Sequence, residues 1–558
     1  MKTITIIISI MIQIKNNIAG YCVMLLLTAT VAVSCKKSMV SEEPLYPASP
    51  KGIVSFEDAP PTPAIAAEGS IVTIKVNGLE GKQDRFRFYI NQTPADIVSV
   101  SGNEIRIRIP ITASTGSSAV ELDGQFYFGP IIDIRGKLNI DPAFNTTTNV
   151  AAGEIRGITP RAAGGYLIYG GFRNYQNQSS ALAAVTGLAF IDNNGGMLIS
   201  GAGDNARPAF NIGVKGIESG TVNTAIFAPD GKVIAGGVFG TVNSRTNIGN
   251  VTRFSATGAL DTTIYDIAGT GADPKAVGAA FNGGFGGSVN KLFATSSGLV
   301  AVGNFSDYTN ILYERSTIES PYLDRIRISQ VARLNYDGGI DSSFNLNLGA
   351  RPVTGYTSAN GFIYDAIEVP GNKLLLVGNF TLFENQPASR IVRIDLATGR
   401  RDPGFAPAGP NGSISKITYN NTTRKLMLTG EFTTYNGQPV NGIVMIDENG
   451  NIDNAFKFRP VEGGIPNFAA QLKDGKVMVS GTFNKYDGIV RAGFMVLNPD
   501  GSLAVGYNNL GFFNGRVNDY VEFASDTDPN IYYVMLVGVF TRFDSKNVGN
   551  IVKIRLQK

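Results

Sequence analysis

Four short segments in the first quarter of the chain alternate apolar and polar residues with a period of two. They cover residues 71–76, 86–90, 97–100 and 105–109. Glycine, asparagine and proline lie between them, which is typical of half-buried antiparallel strands joined by turns. The pattern predicts a small β-sandwich over residues 51–129.

From about residue 130 onward, one apolar pattern recurs. A β-type run ends in Gly-x-Phe, and the glycine of this motif is Gly170, Gly237, Gly303, Gly378, Gly430, Gly481 and Gly538. A second apolar run follows, such as 391–395, and then a turn and Asp-x-x-Phe, as in Asp402 to Phe405. Each unit is a β-meander that cannot bury both faces alone, so stacked units predict a seven-bladed β-propeller over residues 130–558.

The two ends of this region are complementary. The last repeat stops at residues 551–554 without its Asp-x-x-Phe half, whereas residues 134–138 and Asp141 to Phe144 supply such a half before the first repeat. We therefore expect a split blade that closes the ring. An open solenoid would need polar caps instead.

These motifs resemble known modules. Gly-x-Phe, Arg-x-Asp and Asp-x-x-Phe together resemble the delta-60 repeat, a β-propeller repeat of bacterial secreted and surface proteins. The segment with Glu68-Gly69-Ser70, Gly78, Pro110 and Ser114-Thr115-Gly116 resembles an IPT/TIG immunoglobulin-like module. The resemblance implies an all-β protein, a small immunoglobulin-like sandwich followed by the propeller, and it implies no particular chemistry.

The N-terminus has the pattern of an export signal. Lys15 precedes an apolar stretch over 18–33, and small residues lead to Cys35. This resembles a bacterial lipoprotein signal, which implies a signal peptide over 1–34, lipidation of Cys35 and a tether over 35–50. We expect an outer-membrane lipoprotein of a Gram-negative bacterium, facing either the periplasm or the exterior. Translation could begin at Met1 or Met11.

Composition excludes several functions. The chain of 558 residues has no histidine, and its two cysteines are Cys22 and Cys35, so imidazole bases, catalytic Cys-His pairs and thiolate clusters are impossible. With 48 basic and 45 acidic residues and no long basic run, nucleic acid is not an expected partner. We predict no cofactor and no metal. The acidic loop 447–453 superficially resembles a calcium loop, but turn geometry explains it better.

Function is expected where the repeats differ. The recurring Arg253, Arg333 and Arg393 should serve packing, because a catalytic group is rarely needed in every repeat. About 15 residues separate the glycine from the arginine position in most repeats, whereas 30 separate Gly303 from Arg333. The connections around 265–288 and 345–361 are also long. All three insertions are predicted on one face, around adjacent blades.

These insertions contain the candidate ligand-binding residues. Aromatic faces beside charged groups are used for sugar or peptide recognition. The predicted binding residues are Tyr308, Tyr313, Glu314, Arg315, Tyr322, Asp324, Arg325, Arg351 and Tyr356, with Phe281 and Phe285 in the same patch.

The leading interpretation is a lipid-anchored, non-catalytic envelope protein whose propeller binds a glycan or an outer-membrane protein partner, with the immunoglobulin-like module as a spacer. One alternative is a glycosidase or polysaccharide lyase that uses the clustered acids Glu314, Glu319 and Asp324. The other is a structural or adhesive surface protein. The sequence leaves the ligand and the oligomeric state open.

Overall fold

The computed structural model describes residues 53–176, 185–202, 206–213, 215–266, 275–317, 320–356 and 358–558. Residues Phe56–Lys558 form one compact unit, which is described below. Cys35, the N-terminal signal and Glu319 lie outside the described residues. Regular structure in the described part is β-strand apart from a 3₁₀ turn at Tyr313–Arg315. It contains no helix with the length and apolar character needed to cross a membrane.

The first module is a β-sandwich whose strands include the four segments predicted from alternation. Val72 and Ile74 point into its core with Phe88 and Ile107. Its strands are β1 Ser55–Phe56, β2 Ile65–Ala66, β3 Ile71–Asn77, β4 Phe86–Ile90, β5 Thr93–Ser101, β6 Glu104–Arg108, β7 Gly116–Leu122 and β8 Gln125–Ile134. Strands β2 to β8 are paired in the order β3-β6-β5-β4-β7-β8-β2.

A series of antiparallel meanders follows. After β9 Leu138–Ile140, the first sheet has β10 Ile155–Pro160, β11 Tyr166–Gly170 and β12 Leu188–Ile191, followed by β13 Ile199–Ser200 and β14 Arg207–Pro208. The second has β15 Thr221–Phe227, β16 Val233–Val238 and β17 Val251–Phe254, followed by β18 Thr262–Asp266 and β19 Lys275–Ala279. The third has β20 Gly284–Thr295, β21 Gly298–Ile311, β22 Leu323–Ile326 and β23 Val331–Leu334, followed by β24 Leu346–Asn347 and β25 Thr354–Gly355.

The remaining sheets are more regular. The fourth has β26 Ile363–Val369, β27 Lys373–Gly378 and β30 Ile391–Asp395, with β28 Leu382–Phe383 and β29 Gln386–Pro387 paired separately between them. The fifth has β31 Ile414–Asn420, β32 Lys425–Gly430 and β35 Ile443–Asp447, with β33 Thr434–Tyr435 and β34 Gln438–Pro439 paired separately. The sixth has β37 Pro466–Gln471, β38 Val477–Gly481 and β41 Phe494–Leu497, and a separate small sheet has β36 Val461–Glu462, β39 Lys485–Tyr486 and β40 Ile489–Val490. The seventh has β42 Asn514–Ala524, β43 Ile531–Phe543, β44 Lys546–Asn547 and β45 Ile551–Gln557.

The sheets form a ring. The first strand of each sheet contacts the first strand of the next, and β42 of the seventh sheet contacts β10 of the first. The first strands therefore surround a central channel. The side chain of Asn518 completes the circle by donating from Nδ2 to the Ile155 carbonyl oxygen at 2.9 Å.

The recurring glycine is explained by a β-bulge. Each first strand has a register shift at the same position, opposite the glycine of Gly-x-Phe. A Cβ atom on Gly378 would lie 1.9 Å from the Phe362 carbonyl oxygen, and one on Gly430 would lie 2.1 Å from that of Ser413. Only glycine lets the bulged strand come this close.

The recurring arginine joins neighbouring sheets, which confirms its predicted structural role. Arg393 Nε contacts Asp402 Oδ2 at 2.9 Å, and its NH1 donates to the Glu448 carbonyl oxygen of the fifth sheet at 2.7 Å. The guanidinium also lies over the Phe405 ring, with its carbon 5.0 Å from the centroid. The arginine thus stabilises the turn that holds Asp402 and Phe405, and it joins the fourth sheet to the fifth.

The predicted complementarity of the two ends is present as a strand pair. β45 pairs antiparallel with β9, with Ile554 opposite Ile140. Lys553 takes the arginine position and contacts Asp141 Oδ2 at 2.7 Å. The closing strand is Leu138–Ile140, later than the predicted 134–138, because the backbone N–H groups of Arg135 and Lys137 donate to the carbonyl oxygens of Ala66 and Gly506 and not to β45.

The sandwich packs on the sixth and seventh sheets within the same unit. Glu68 Oε1 accepts a hydrogen bond from Asn509 Nδ2 at 2.8 Å. Arg491 donates from NH1 to the Thr112 carbonyl oxygen at 3.0 Å. Burial lowers the pKa of Arg491 to about 10, although Glu68 acts in the opposite direction.

Candidate functional site

The three insertions meet on one side of the third sheet. Tyr265, from the connection after the second sheet, stacks on Tyr313 with ring centroids 3.4 Å apart and planes 11° apart. Arg327 forms a parallel bridge with Thr354 of the connection after the third sheet. The predicted clustering of the long connections is therefore observed.

An open cleft of about 900 Å³ lies among these segments and is here called the insertion cleft. Its walls are the connection 240–249 of the second sheet, the paired strands β18 and β19, residues 281–286 and the outer end of β21. Tyr265, Tyr313 and the exposed Leu323 line it together with several glycines. Exposed backbone and aromatic faces are therefore available to a ligand at the same place.

Asp307 is an anionic group in the insertion cleft. Its Oδ2 accepts hydrogen bonds from Arg325 NH2 at 2.7 Å and from Ser306 Oγ at 2.8 Å. The hydrogen bond from Arg325 is the largest cause of the lowered pKa of Asp307, and it outweighs the opposing effect of burial. A Cβ on Gly286 would lie 2.5 Å from Asp307 Oδ1, so glycine at that position makes room for the carboxylate.

Tyr313 is the candidate from the sequence whose environment best fits ligand contact. It is half-buried, and burial raises the pKa of its hydroxyl to about 12, so it is neutral at physiological pH. Phe281 and Phe285 also line the insertion cleft, but they belong mainly to the hydrophobic core of the third sheet.

The prediction for Tyr308 needs correction. Its side chain is 1 % exposed, packs 4.9 Å from the Phe285 ring centroid and donates its hydroxyl proton to the Gly338 carbonyl oxygen. β21 continues past the Gly-x-Phe motif to Ile311, so Tyr308 lies inside the sheet. It is a core residue and cannot contact a ligand.

The other candidates lie beside the cleft and do not line it. Arg315 covers the Tyr322 ring at 3.8 Å, and the Tyr356 ring is covered by Arg400 at 3.6 Å. Arg351 donates to the local carbonyl oxygens of Leu348 and Ala350. Glu314 and Asp324 are exposed, and Arg325 reaches the cleft only through Asp307.

Comparison with known families agrees with this description. Residues 55–129 match the IPT/TIG domain. Residues 228–263, 370–405, 423–456 and 472–503 match a family described as a domain of unknown function (DUF5122) beta-propeller. The chain carries an IPT/TIG domain and a DUF5122 β-propeller region. The matched stretches belong to the second, fourth, fifth and sixth repeats, and the third repeat with its insertions lies between them.

Several solved structures with some similarity to the chain come from Bacteroides species. A structural genomics protein of unknown function from Bacteroides thetaiotaomicron has 11% identity and a TM-score of 0.27, covering 91% of this chain and 99% of that one. An auxiliary nutrient binding protein from the same species has 8% identity and a TM-score of 0.30, covering 90% and 99%. The computationally designed Ika8 protein has 13% identity and a TM-score of 0.33, covering 73% and 97%. These scores are too low to indicate a shared function, and no curated protein matches the chain.

The DUF5122 propeller has a second candidate site, which sequence reasoning missed. The bulged residues of the seven first strands line a cavity of about 360 Å³ at one end of the central channel, here called the channel mouth. These residues are Arg156, Asn223, Asn290, Tyr364, Ser415, Asn467 and Asn518. The available signal was a recurring Val-Asn pair at 222–223, 289–290 and 517–518.

The acidic loop of the fifth DUF5122 repeat is a turn. Asp447 Oδ1 accepts the backbone N–H groups of Asn449 and Asn451, both at 2.9 Å. Its carboxylate is thus used to fix the hairpin. In the described part of the chain, no three Asp, Glu, Cys or His side chains come close enough to hold a metal ion.

Proposed function

We propose that this chain is a non-catalytic cell-envelope protein whose propeller binds a glycan through the insertion cleft. The observation that carries the proposal is the Tyr265–Tyr313 stack in a cleft that Asp307 also lines, with 7% of its side chain exposed. This pair lies where the otherwise regular repeats are interrupted, so it is not needed for ring packing.

The chemistry of the cleft favours a sugar. Aromatic faces bind the C–H surface of a sugar ring, and carboxylate oxygens accept hydrogen bonds from its hydroxyl groups. The volume of about 900 Å³ exceeds what one ring requires. A short oligosaccharide is therefore the expected ligand.

A glycosidase is less well supported. Hydrolysis with retention or inversion uses two carboxyl groups that flank the scissile bond. Among the described lining residues of the insertion cleft, Asp307 is the single carboxylate. Its pKa is lowered, which suits a hydrogen-bond acceptor and does not suit a general acid.

We also propose that the protein is an outer-membrane lipoprotein anchored through Cys35. The IPT/TIG domain would then hold the propeller away from the bilayer. The exposed rim around Tyr322 and Leu323 could instead contact an outer-membrane protein partner. Binding measurements distinguish these possibilities.

The glycan proposal is tested with the full chain purified in mild detergent and screened on a glycan array. For any glycan that binds, Tyr313→Ala should weaken the affinity by at least about tenfold in calorimetry, which corresponds to about 1.4 kcal/mol. Tyr322→Ala is the matched control, because this exposed tyrosine does not line the cleft. Equal losses in both variants, or no bound glycan on the array, would reject the proposal.

The anchor is tested by Cys35→Ala expressed in a Gram-negative host. We expect the variant to move from the membrane fraction to the soluble fraction and to lose labelling by a fatty-acid probe. Labelling of the variant at the wild-type level would contradict lipidation of Cys35.

A further inference from the structure

The channel mouth is lined by charged groups in an ordered arrangement. Glu154 lies between two arginines, with Arg156 NH2 at 2.9 Å and Arg516 NH2 at 3.1 Å from its carboxylate oxygens. Asp365 lies between two lysines, with Lys291 Nζ at 3.3 Å and Lys416 Nζ at 3.2 Å. The first group comes from the first and seventh sheets, and the second comes from the third, fourth and fifth sheets.

Each group carries one more positive than negative charge. Burial by itself would raise the pKa of Asp365, but Lys291, Lys416 and the backbone N–H of Ile417 together outweigh it and the pKa is lowered. Burial would likewise lower the pKa of Lys291, but Asp365, Tyr169 and Asp519 together outweigh it and the pKa is raised. Both partners are therefore charged at neutral pH. Asp519, which also acts on Lys291, reduces the excess without removing it.

The arginines of the channel mouth remain accessible. The side chain of Arg516 is 51% exposed and that of Arg156 is 41% exposed. A guanidinium has five N–H donors, and the contacts with Glu154 and Asn518 use only part of those of Arg516. An incoming anion can thus be bound without breaking the existing ion pairs.

Amide groups beside these charges are held in fixed orientations. Asn223 Nδ2 donates to the Val289 carbonyl oxygen at 3.0 Å, and Asn290 Nδ2 donates to that of Ile363 at 2.8 Å. Because each Nδ2 is committed to the next sheet, each Oδ1 is left as an acceptor. Acceptors at this position suit hydroxyl groups.

We propose that the channel mouth is a second binding site, specific for a sugar that carries a carboxylate, such as a single uronate unit. The excess positive charge and the guanidinium forks bind the carboxylate, and the asparagine oxygens accept the sugar hydroxyls. A cavity of about 360 Å³ is at the small end of ligand sites and is suited to one ring. This inference concerns a site separate from the insertion cleft and does not depend on it.

The site opens on the same face as the insertion cleft. β20 begins at Gly284, directly after the insertion that lines the cleft, and its bulged residue Asn290 lines the channel mouth. An acidic polysaccharide could therefore place a charged unit in the channel mouth and a neighbouring segment in the cleft.

Calorimetry on the full chain in detergent tests this assignment with sodium galacturonate, sodium glucuronate, galactose and inorganic phosphate. We expect at least one uronate to bind, at least about tenfold more tightly than galactose and than phosphate, and to bind less tightly as salt rises. No uronate binding, or equal binding of galactose, overturns the proposal. Tighter binding of phosphate would overturn the sugar assignment in favour of an inorganic anion site.

Variants locate the site. Arg516→Gln should weaken uronate binding by about tenfold, and Glu154→Gln, which increases the positive excess, should preserve or strengthen it. Tyr313→Ala in the insertion cleft should leave uronate affinity unchanged. The proposal for the channel mouth and the proposal for the insertion cleft can therefore be rejected independently. Thermal unfolding of each variant verifies folding. Equal uronate affinity in Arg516→Gln and Glu154→Gln would contradict the proposal.

Discussion

The third and fourth sheets share the bulge opposite glycine and the arginine–aspartate pair, which are here called the framework. They differ in the connections at one end of the sheet. Both have the glycine opposite a bulge, at Gly303 and Gly378, and both have an arginine paired with the aspartate of Asp-x-x-Phe. In the third sheet, β21 extends to Ile311 and pairs with the additional strand β22. The comparison teaches that the framework tolerates large additions at the connections because the contacts that join the sheets lie elsewhere.

The largest expected effect comes from the shared glycine. Gly378→Ala should lower the free energy of unfolding by about 3 kcal/mol, because the new Cβ would overlap a backbone oxygen. Gly303→Ala should be equally damaging, since its Cβ would lie 2.0 Å from the Ser288 carbonyl oxygen. Gly349→Ala, at an exposed position of the long connection, is the matched control and should change little. Chemical denaturation measures all three, and a mild Gly303→Ala would show that the third sheet departs from the framework.

The next effect concerns the arginine that joins the sheets. Arg393→Ala removes the bond to the fifth sheet and the closer of the two cations beside Asp402, the other being Lys373 with Nζ at 3.5 Å, so we expect a loss of about 2 kcal/mol. Arg351→Ala, in the long connection, removes bonds to nearby carbonyl oxygens only and should cost less than about 0.5 kcal/mol. Comparable losses in denaturant midpoint would break the distinction between framework and insertion.

A smaller effect is expected from acid. Burial would raise the pKa of Asp402, but the Gly404 N–H and the Arg393 guanidinium outweigh it, so the folded pKa lies below the ordinary value of 3.8. The resulting stabilisation is present above that ordinary value and is lost as pH falls through the lower folded pKa. Asp402→Asn should therefore reduce the drop in melting temperature between pH 5 and pH 3. An unchanged drop would show that this carboxylate does not contribute to acid sensitivity.

The smallest effect is expected in the insertion. Arg325→Ala removes an ion pair whose arginine side chain is 66% exposed, so the loss in stability should be below about 1 kcal/mol. The pKa of Asp307 should nevertheless rise toward its ordinary value, which can be followed by NMR titration of the carboxyl carbon. A large loss of stability would mean that the insertion supports the ring.

Most of the framework could be predicted from the sequence, because glycine, arginine and phenylalanine recur at fixed positions. Glycine allows the close approach at the bulge, arginine joins neighbouring sheets, and phenylalanine packs against the arginine. The extension of β21 could not, since continuation of a strand past Gly-x-Phe depends on the pairing partner β22. Tyr308 was therefore expected on a loop although it is buried.

The candidate sites were less predictable. The connection 240–249 has ordinary length, so its place in the wall of the cleft follows only from the ring geometry. Asn290 and Arg516 each lie next to one valine, Val289 or Val517, which is common for polar residues on half-buried strands. These residues line one cavity because the seven sheets close into a ring. The sequence pattern of a single strand does not show which residues of distant strands the ring brings together.

The pairing of β9 with β45 has a consequence for biosynthesis. Ile140 leaves the ribosome long before Ile554, and at typical elongation rates the delay is on the order of half a minute. Until the final strand is made, the nascent chain has two unpaired edges at opposite termini. A polypeptide that ends before β45 therefore cannot close the ring, and the unpaired edge of β9 leaves backbone groups that favour pairing with other chains.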